Sequence, residues 1–114
     1  MPSTHLAPIV LAEDNKDDAL FVERALDKAR IRNPLVVLSS VSDVRTYLSR
    51  YNGVSEPVLL IIDLQLEGGE SGLDALAWVR TQPGALGTIP AMILTASERA
   101  DDRELLRRER GGTR

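Results

Sequence analysis

The chain has 114 residues, the length of one domain, and its 43% hydrophobic and 27% charged residues argue against a wholly disordered protein. The absence of cysteine excludes disulfides and thiolate chemistry, and a single histidine, His5, excludes a multi-histidine metal site within one chain. The formal charge of −3 argues against direct binding of nucleic acid. No apolar run approaches the ~20 residues that span a bilayer, and the start lacks a basic leader. We therefore expect a cytoplasmic protein with no membrane contact.

Short apolar runs alternate with amphipathic segments along the chain. Four runs are too short and too continuously apolar for helices and are typical of strands buried on both faces. They cover residues 8–12, 35–38, 58–62 and 89–94. This alternation predicts an α/β fold with a parallel sheet and helices on both of its faces.

Helical spacing follows each of the first three runs, and a charged fourth helix is expected from Asp101. Asn15 or Asp17 is the expected N-cap of the first helix, and Ser42 or Asp43 that of the second. The residues from Glu67 to Gly72 form a predicted loop. The third helix is expected to bury one apolar stripe, made of Leu73, Leu76, Ala77 and Val79.

Acidic residues stand where the predicted strands end. Glu13 and Asp14 follow the first strand, Asp63 ends the third, and Thr95-Ala96 end the fourth. Ligands of open α/β sheets bind beyond the carboxyl ends of the strands, where three gathered carboxylates would repel one another. Oxygen ligands without histidine or cysteine favour Mg²⁺, and a carboxylate beside such an ion can accept a phosphoryl group. An acidic residue after a strand often only caps the next helix. The prediction of a site therefore depends on finding such residues at three strand ends together.

These motifs together resemble the response-regulator receiver domain of two-component signalling. The resemblance is carried by residues 12–15, the strand from Val58 to Asp63, the Ser71-Gly72-Leu73 turn and the strand that ends in Thr95-Ala96. It covers roughly residues 7 to 104. The local sequence of residues 13–19 and 22–26 is similar to that of stand-alone receivers that serve phytochrome-like and other hybrid kinases.

The resemblance implies a flavodoxin-like doubly wound sheet with strand order 2-1-3-4. It implies one receiver domain over residues 1–114, with a core of about 7–106. It also implies that Glu13, Asp14 and Asp63 hold Mg²⁺, together with the backbone carbonyl of Gln65.

The same resemblance implies roles in signalling rather than in enzymatic turnover. Asp63 would accept a phosphoryl group from a phosphohistidine on a sensor histidine kinase. The local sequence similarity suggests that this kinase is phytochrome-like. Thr95 would move toward that group and report the phosphorylated state, and the small Ala96 would leave room for it. The effect of phosphorylation would then pass through protein–protein contacts.

The sequence departs from the family pattern in three places. The usual fifth strand and fifth helix are missing from the chain as given, and no lysine follows Lys28, so the family's phosphate-binding lysine has no counterpart. Glu67 stands where the family usually has a proline. A fourth strand at the sheet edge would favour a homodimer through the strand 4 and helix 4 region, by edge pairing or by exchange of elements.

Two other functions stay open at this point. A receiver-like interaction module that no longer switches, or a truncated fragment that dimerises, would explain the missing lysine. A Mg²⁺-dependent phosphohydrolase with an aspartyl nucleophile is disfavoured, because Gln65 stands where such enzymes place a second carboxylate for proton transfer.

Overall fold

The computed structural model describes residues 6–50 and 57–94, which form four strands and three α-helices. In chain order they are β1 (Ile9–Ala12), α1 (Lys16–Lys28), β2 (Leu35–Leu38), α2 (Val41–Leu48), β3 (Leu59–Asp63), α3 (Gly72–Arg80) and β4 (Ala91–Leu94). Short 3₁₀ turns lie at Glu67–Gly69 and Gly84–Thr88. The predicted fourth helix from Asp101 lies outside the described residues.

All described strand pairs are parallel, in the order β2-β1-β3-β4. This confirms the predicted flavodoxin-like α/β fold and its strand order. In the register of the two central strands Ala12 lies beside Ile62, and in the next pair Asp63 lies beside Leu94. The carboxyl ends of β1, β3 and β4 are therefore level at one edge of the sheet.

Two apolar clusters bury the two faces of the sheet. On one face Val10, Leu60 and Ile62 pack with α2 and α3, and on the other Leu11 and Ile61 pack with α1. Successive side chains of a strand point to opposite faces, so a strand covered on both sides must be apolar at every position. This double burial explains why the runs in β1 and β3 do not alternate.

The helices begin at side-chain caps, not all of them as predicted. Asn15 caps α1, where its Oδ1 accepts from the N–H of Asp18 at 2.9 Å. The predicted caps of α2 are wrong, because Ser40 is the cap and its Oγ accepts from the N–H of Asp43 at 3.0 Å. Ser42 and Asp43 instead lie inside the first turn, because only two residues separate the end of β2 from the start of the helix.

The predicted apolar stripe of α3 is wrong in part. Leu73 is 50% exposed and Ala77 is exposed, whereas Gly72, Ala75 and Val79 are buried. The buried face follows helical spacing, but Gly72 has no side chain to mark it, and the pattern does not distinguish the buried Ala75 from the exposed Ala77. The helix packs closely against the sheet on this small-residue face, and Leu73 is left in solvent.

The end of α1 has an unusual residue for its backbone conformation. Arg30 has a φ of 63°, and its N–H donates to the carbonyl of Asp27, while the N–H of Ile31 donates to the carbonyl of Leu26. These two bonds form a Schellman motif, whose left-handed position usually belongs to glycine. A side chain at that position costs about 1 kcal/mol or more in the left-handed region.

We expect Arg30→Gly to stabilise the protein by about 0.5–1 kcal/mol, because relief of the left-handed strain exceeds the added entropy of the unfolded chain. Urea denaturation measures this change. Arg32→Gly is the matched control, since Arg32 is also exposed and does not have a positive φ. A loss of stability in Arg30→Gly equal to that of the control would contradict the assignment of strain to Arg30.

Candidate functional site

Three predicted acidic residues meet at the carboxyl edge of the sheet. Glu13, Asp14 and Asp63 each offer a carboxylate oxygen, and these oxygens all lie within 4.8 Å of one another. Glu13 is 3% exposed and Asp63 is 1% exposed, whereas Asp14 faces solvent. The cluster therefore has a buried floor of two carboxylates and one accessible side.

The strand register brings the two buried carboxylates together. Glu13 and Asp63 directly follow the paired residues Ala12 and Ile62, so they leave the sheet side by side. The N–H of Glu13 donates to the carbonyl of Leu38 at 2.8 Å, which extends the pairing with β2 by one residue. The backbone of Glu13 is thus bonded to β2.

Each buried carboxylate also accepts a hydrogen bond from the backbone two residues further along. The N–H of Asn15 donates to Oε2 of Glu13 at 3.2 Å, and the N–H of Gln65 donates to Oδ1 of Asp63 at 3.2 Å. Local bonds of this kind orient an acidic side chain within a turn. They hold the two carboxylates in place.

The donor set fits a hard divalent cation. Three carboxylates this close repel one another, and a cation among them removes that repulsion. A site made of oxygen ligands, without nitrogen or sulfur, is typical of Mg²⁺, Ca²⁺ or Mn²⁺. The described residues therefore offer a divalent-metal site at the predicted place.

The segment after Asp63 is a small hairpin rather than an open loop. Gln65 and Ser71 form an isolated antiparallel bridge, and the N–H of Leu66 donates to the carbonyl of Glu70 at 2.8 Å. Gly68 and Gly69 make its turn with φ values of 80° and 79°. Gln65 is placed next to Asp63 by this hairpin, and metal binding by its carbonyl stays a prediction.

Gly72 was expected in the loop, but it is the first residue of α3 and is buried. A Cβ at this position would collide with the carbonyl oxygen of Asp63 and with Cγ2 of Ile62. The helix can therefore begin this close to Asp63 only because residue 72 has no side chain.

Glu70 makes a contact that sequence reasoning does not predict. Its Oε1 accepts a hydrogen bond at 3.0 Å from the N–H of Val41, which lies 29 residues earlier in the chain. A bond between the first residue of α2 and the hairpin after β3 follows from the fold and has no local sequence pattern. The predicted switch residues Thr95 and Ala96 lie outside the described residues.

No family model matches the chain, and no curated protein does. Among solved structures, the bacteriophytochrome response regulator AtBRR is similar with 29% identity and a TM-score of 0.70, over 96% of this chain and 79% of that one. The chain therefore has the fold of a response-regulator receiver domain. The receiver also resembles the bacteriophytochrome response regulator RtBRR at 28% identity and a TM-score of 0.69, over 94% of this chain but 65% of that one.

Two further similar structures bear on the site. The Mn²⁺-bound form of response regulator Rcp1 is 29% identical with a TM-score of 0.68, over 85% of this receiver and 70% of that chain. The phosphorylated cyanobacterial phytochrome response regulator RcpA is 26% identical with a TM-score of 0.68, over 88% of this receiver and 71% of that chain. Within residues 6–50 and 57–94 of the receiver, no helix has the length and apolar character needed to cross a bilayer.

We expect Gly72→Ala to destabilise the receiver by about 1–3 kcal/mol, because the new methyl group overpacks the backbone of Asp63. Helix propensity alone predicts the opposite sign, since alanine is favoured over glycine in a helix. Thermal denaturation of both proteins decides between the two. Ala77→Gly, on the exposed side of the same helix, calibrates the propensity effect, and a stabilised Gly72→Ala protein would refute the close approach.

Proposed function

We propose that this receiver is the phosphoacceptor of a two-component system, which takes a phosphoryl group from a sensor histidine kinase on Asp63. The observation that carries the proposal is the convergence of Glu13, Asp14 and Asp63 at the sheet edge. In the proposed step a carboxylate oxygen of Asp63 bonds to phosphorus, and the phosphorus–nitrogen bond of the kinase phosphohistidine breaks. The histidine nitrogen leaves with the electron pair of that bond.

The environment of Asp63 suits this step. The side chain is 1% exposed, and the Gln65 N–H fixes its orientation, so little reorganisation precedes attack. We propose that Glu13, Asp14 and Asp63 hold Mg²⁺ together with the Gln65 carbonyl. A bound Mg²⁺ supplies neutralisation of the negative charge on the transferring phosphoryl group.

The similar structures support parts of this proposal. One of them is a Mn²⁺-bound response regulator, and another is a phosphorylated one. Several are phytochrome response regulators, which favours a phytochrome-like kinase as the partner. We propose on the same grounds that the receiver acts in the cytoplasm as a signalling protein and not as an enzyme.

A second candidate is a receiver-like interaction module that does not switch. It is favoured by the exposed Met92 and Ile93 on β4, which offer an apolar surface to a partner. A homodimer through the strand 4 and helix 4 region also stays a prediction. The exposure of Met92 and Ile93 on β4, at 53% and 40%, agrees with such a contact.

Incubation with Mg²⁺ and acetyl phosphate should add one phosphoryl group to the receiver, measured by intact mass. Asp63→Asn should abolish the gain, because the amide is not a nucleophile for this transfer. Asp74→Asn is the matched control, since Asp74 is an exposed carboxylate in the first turn of α3, outside the cluster. A folded, Mg²⁺-binding receiver that gains no mass would favour the non-switching module.

Mg²⁺ should stabilise the receiver by about 2.7 kcal/mol at a concentration of 100 times its Kd. Asp14→Asn should have opposite effects in two conditions. Without metal it should stabilise by roughly 1 kcal/mol, because one repelling charge is removed, and with Mg²⁺ it should lose most of the metal-induced gain. Thermal denaturation in chelator and in Mg²⁺ measures both.

Asp17→Asn provides the control for this reversal. Asp17 is exposed in the first turn of α1, where its charge interacts favourably with the helix dipole, and it lies outside the cluster. It should lower stability slightly in both conditions. If Asp14→Asn and Asp17→Asn changed the stability equally in chelator and in Mg²⁺, a metal site that includes Asp14 would be contradicted.

A further inference from the structure

The N-terminus of α2 is capped by two different parts of the chain. Ser40 Oγ accepts from the N–H of Asp43, as a local cap does. The N–H of Val41, another of the first four donors that lack a partner inside the helix, instead donates to Oε1 of Glu70 at 3.0 Å. A carboxylate acceptor is favoured here, because the bond is charge-assisted and the helix dipole is positive at this end.

Glu70 belongs to the hairpin that follows the phosphoacceptor. Its backbone carbonyl accepts from the N–H of Leu66 at 2.8 Å, and the adjacent Ser71 bridges to Gln65. Gln65 in turn donates its N–H to Oδ1 of Asp63. The side chain of Glu70 therefore joins α2 to the segment that positions Gln65 and orients Asp63.

The hairpin is closed at its base by the N–H of Gly72, which donates to the carbonyl of Leu64 at 2.9 Å. Its turn consists of Gly68 and Gly69, which have no side chains to pack, and both glycines are exposed. Leu66 is buried in the core cluster and fixes the base of the hairpin. The Glu70 bond holds the opposite strand of the hairpin, four residues further along.

We propose that Glu70 is a positioning residue for the metal and phosphoacceptor site. By holding the hairpin against the N-terminus of α2, it sets the place of the Gln65 backbone and thereby the affinity for Mg²⁺. The inference rests on the proposed function, because it assigns to Glu70 an effect on that same site. A cap that only stabilised α2 would change the stability of the fold and leave metal affinity unaltered.

Glu70→Ala and Ser40→Ala separate these two roles. Each removes one acceptor at the start of α2, so both should lower the melting temperature by similar amounts. Calorimetric titration with Mg²⁺ should show about three- to tenfold weaker binding for Glu70→Ala, the effect of one lost hydrogen bond, and unchanged binding for Ser40→Ala. Glu70→Gln keeps an oxygen acceptor and should restore the affinity to within about twofold of the original protein.

The rate of phosphorylation by acetyl phosphate at saturating Mg²⁺ provides a second readout. It should remain near that of the original receiver in Glu70→Ala, because excess metal compensates for weaker binding. Equal Mg²⁺ affinity in Glu70→Ala and Ser40→Ala would overturn the inference alone. A failure of the original receiver to bind Mg²⁺ or to accept a phosphoryl group would instead overturn the proposed function.

Discussion

The site depends on the parallel register of β1 and β3, which places two carboxylates side by side where both are buried. Ala12 pairs with Ile62, so Glu13 and Asp63 leave the sheet at the same level. A slip of one residue would turn every side chain of a strand to the opposite face and move one carboxylate into the core. The apolar side chains on both faces, such as Val10 and Leu11, therefore fix the register and with it the distance between the carboxylates. Burial of the apolar core therefore stabilises an arrangement in which the like-charged carboxylates of Glu13 and Asp63 lie close together.

Close packing at the same edge imposes a second constraint. α3 begins at Gly72 against the backbone of Asp63, and the buried side of that helix continues through Ala75. Small residues let the helix axis approach the sheet, which places the hairpin between β3 and α3 directly over the strand end. The geometry of the acidic cluster and the packing of α3 are consequently parts of one arrangement.

The sequence was a good guide to whatever is determined locally. The continuous apolar runs predict strands covered on both faces, and the residues that end those strands predict the acidic cluster. The stripe predicted for α3 is wrong in part. Gly72 has no apolar side chain to mark the buried face, and the sequence does not distinguish the buried Ala75 from the exposed Ala77. The cap of α2 was placed too late because the connection after β2 is only two residues long. Glu70 was not found at all, since its partner, Val41, is distant in the chain and becomes a neighbour only in the folded receiver.

The burial of the cluster determines the direction from which it can be reached. Glu13 and Asp63 form the buried floor, with exposures of 3% and 1%, whereas Asp14 faces solvent. Asp14 would therefore be the first of the three carboxylates that an entering cation meets. In the proposed function, a phosphodonor would approach Asp63 from the same exposed side. Metal and phosphodonor would then share one entrance, beside the hairpin that carries Gln65 and is bonded to α2 through Glu70.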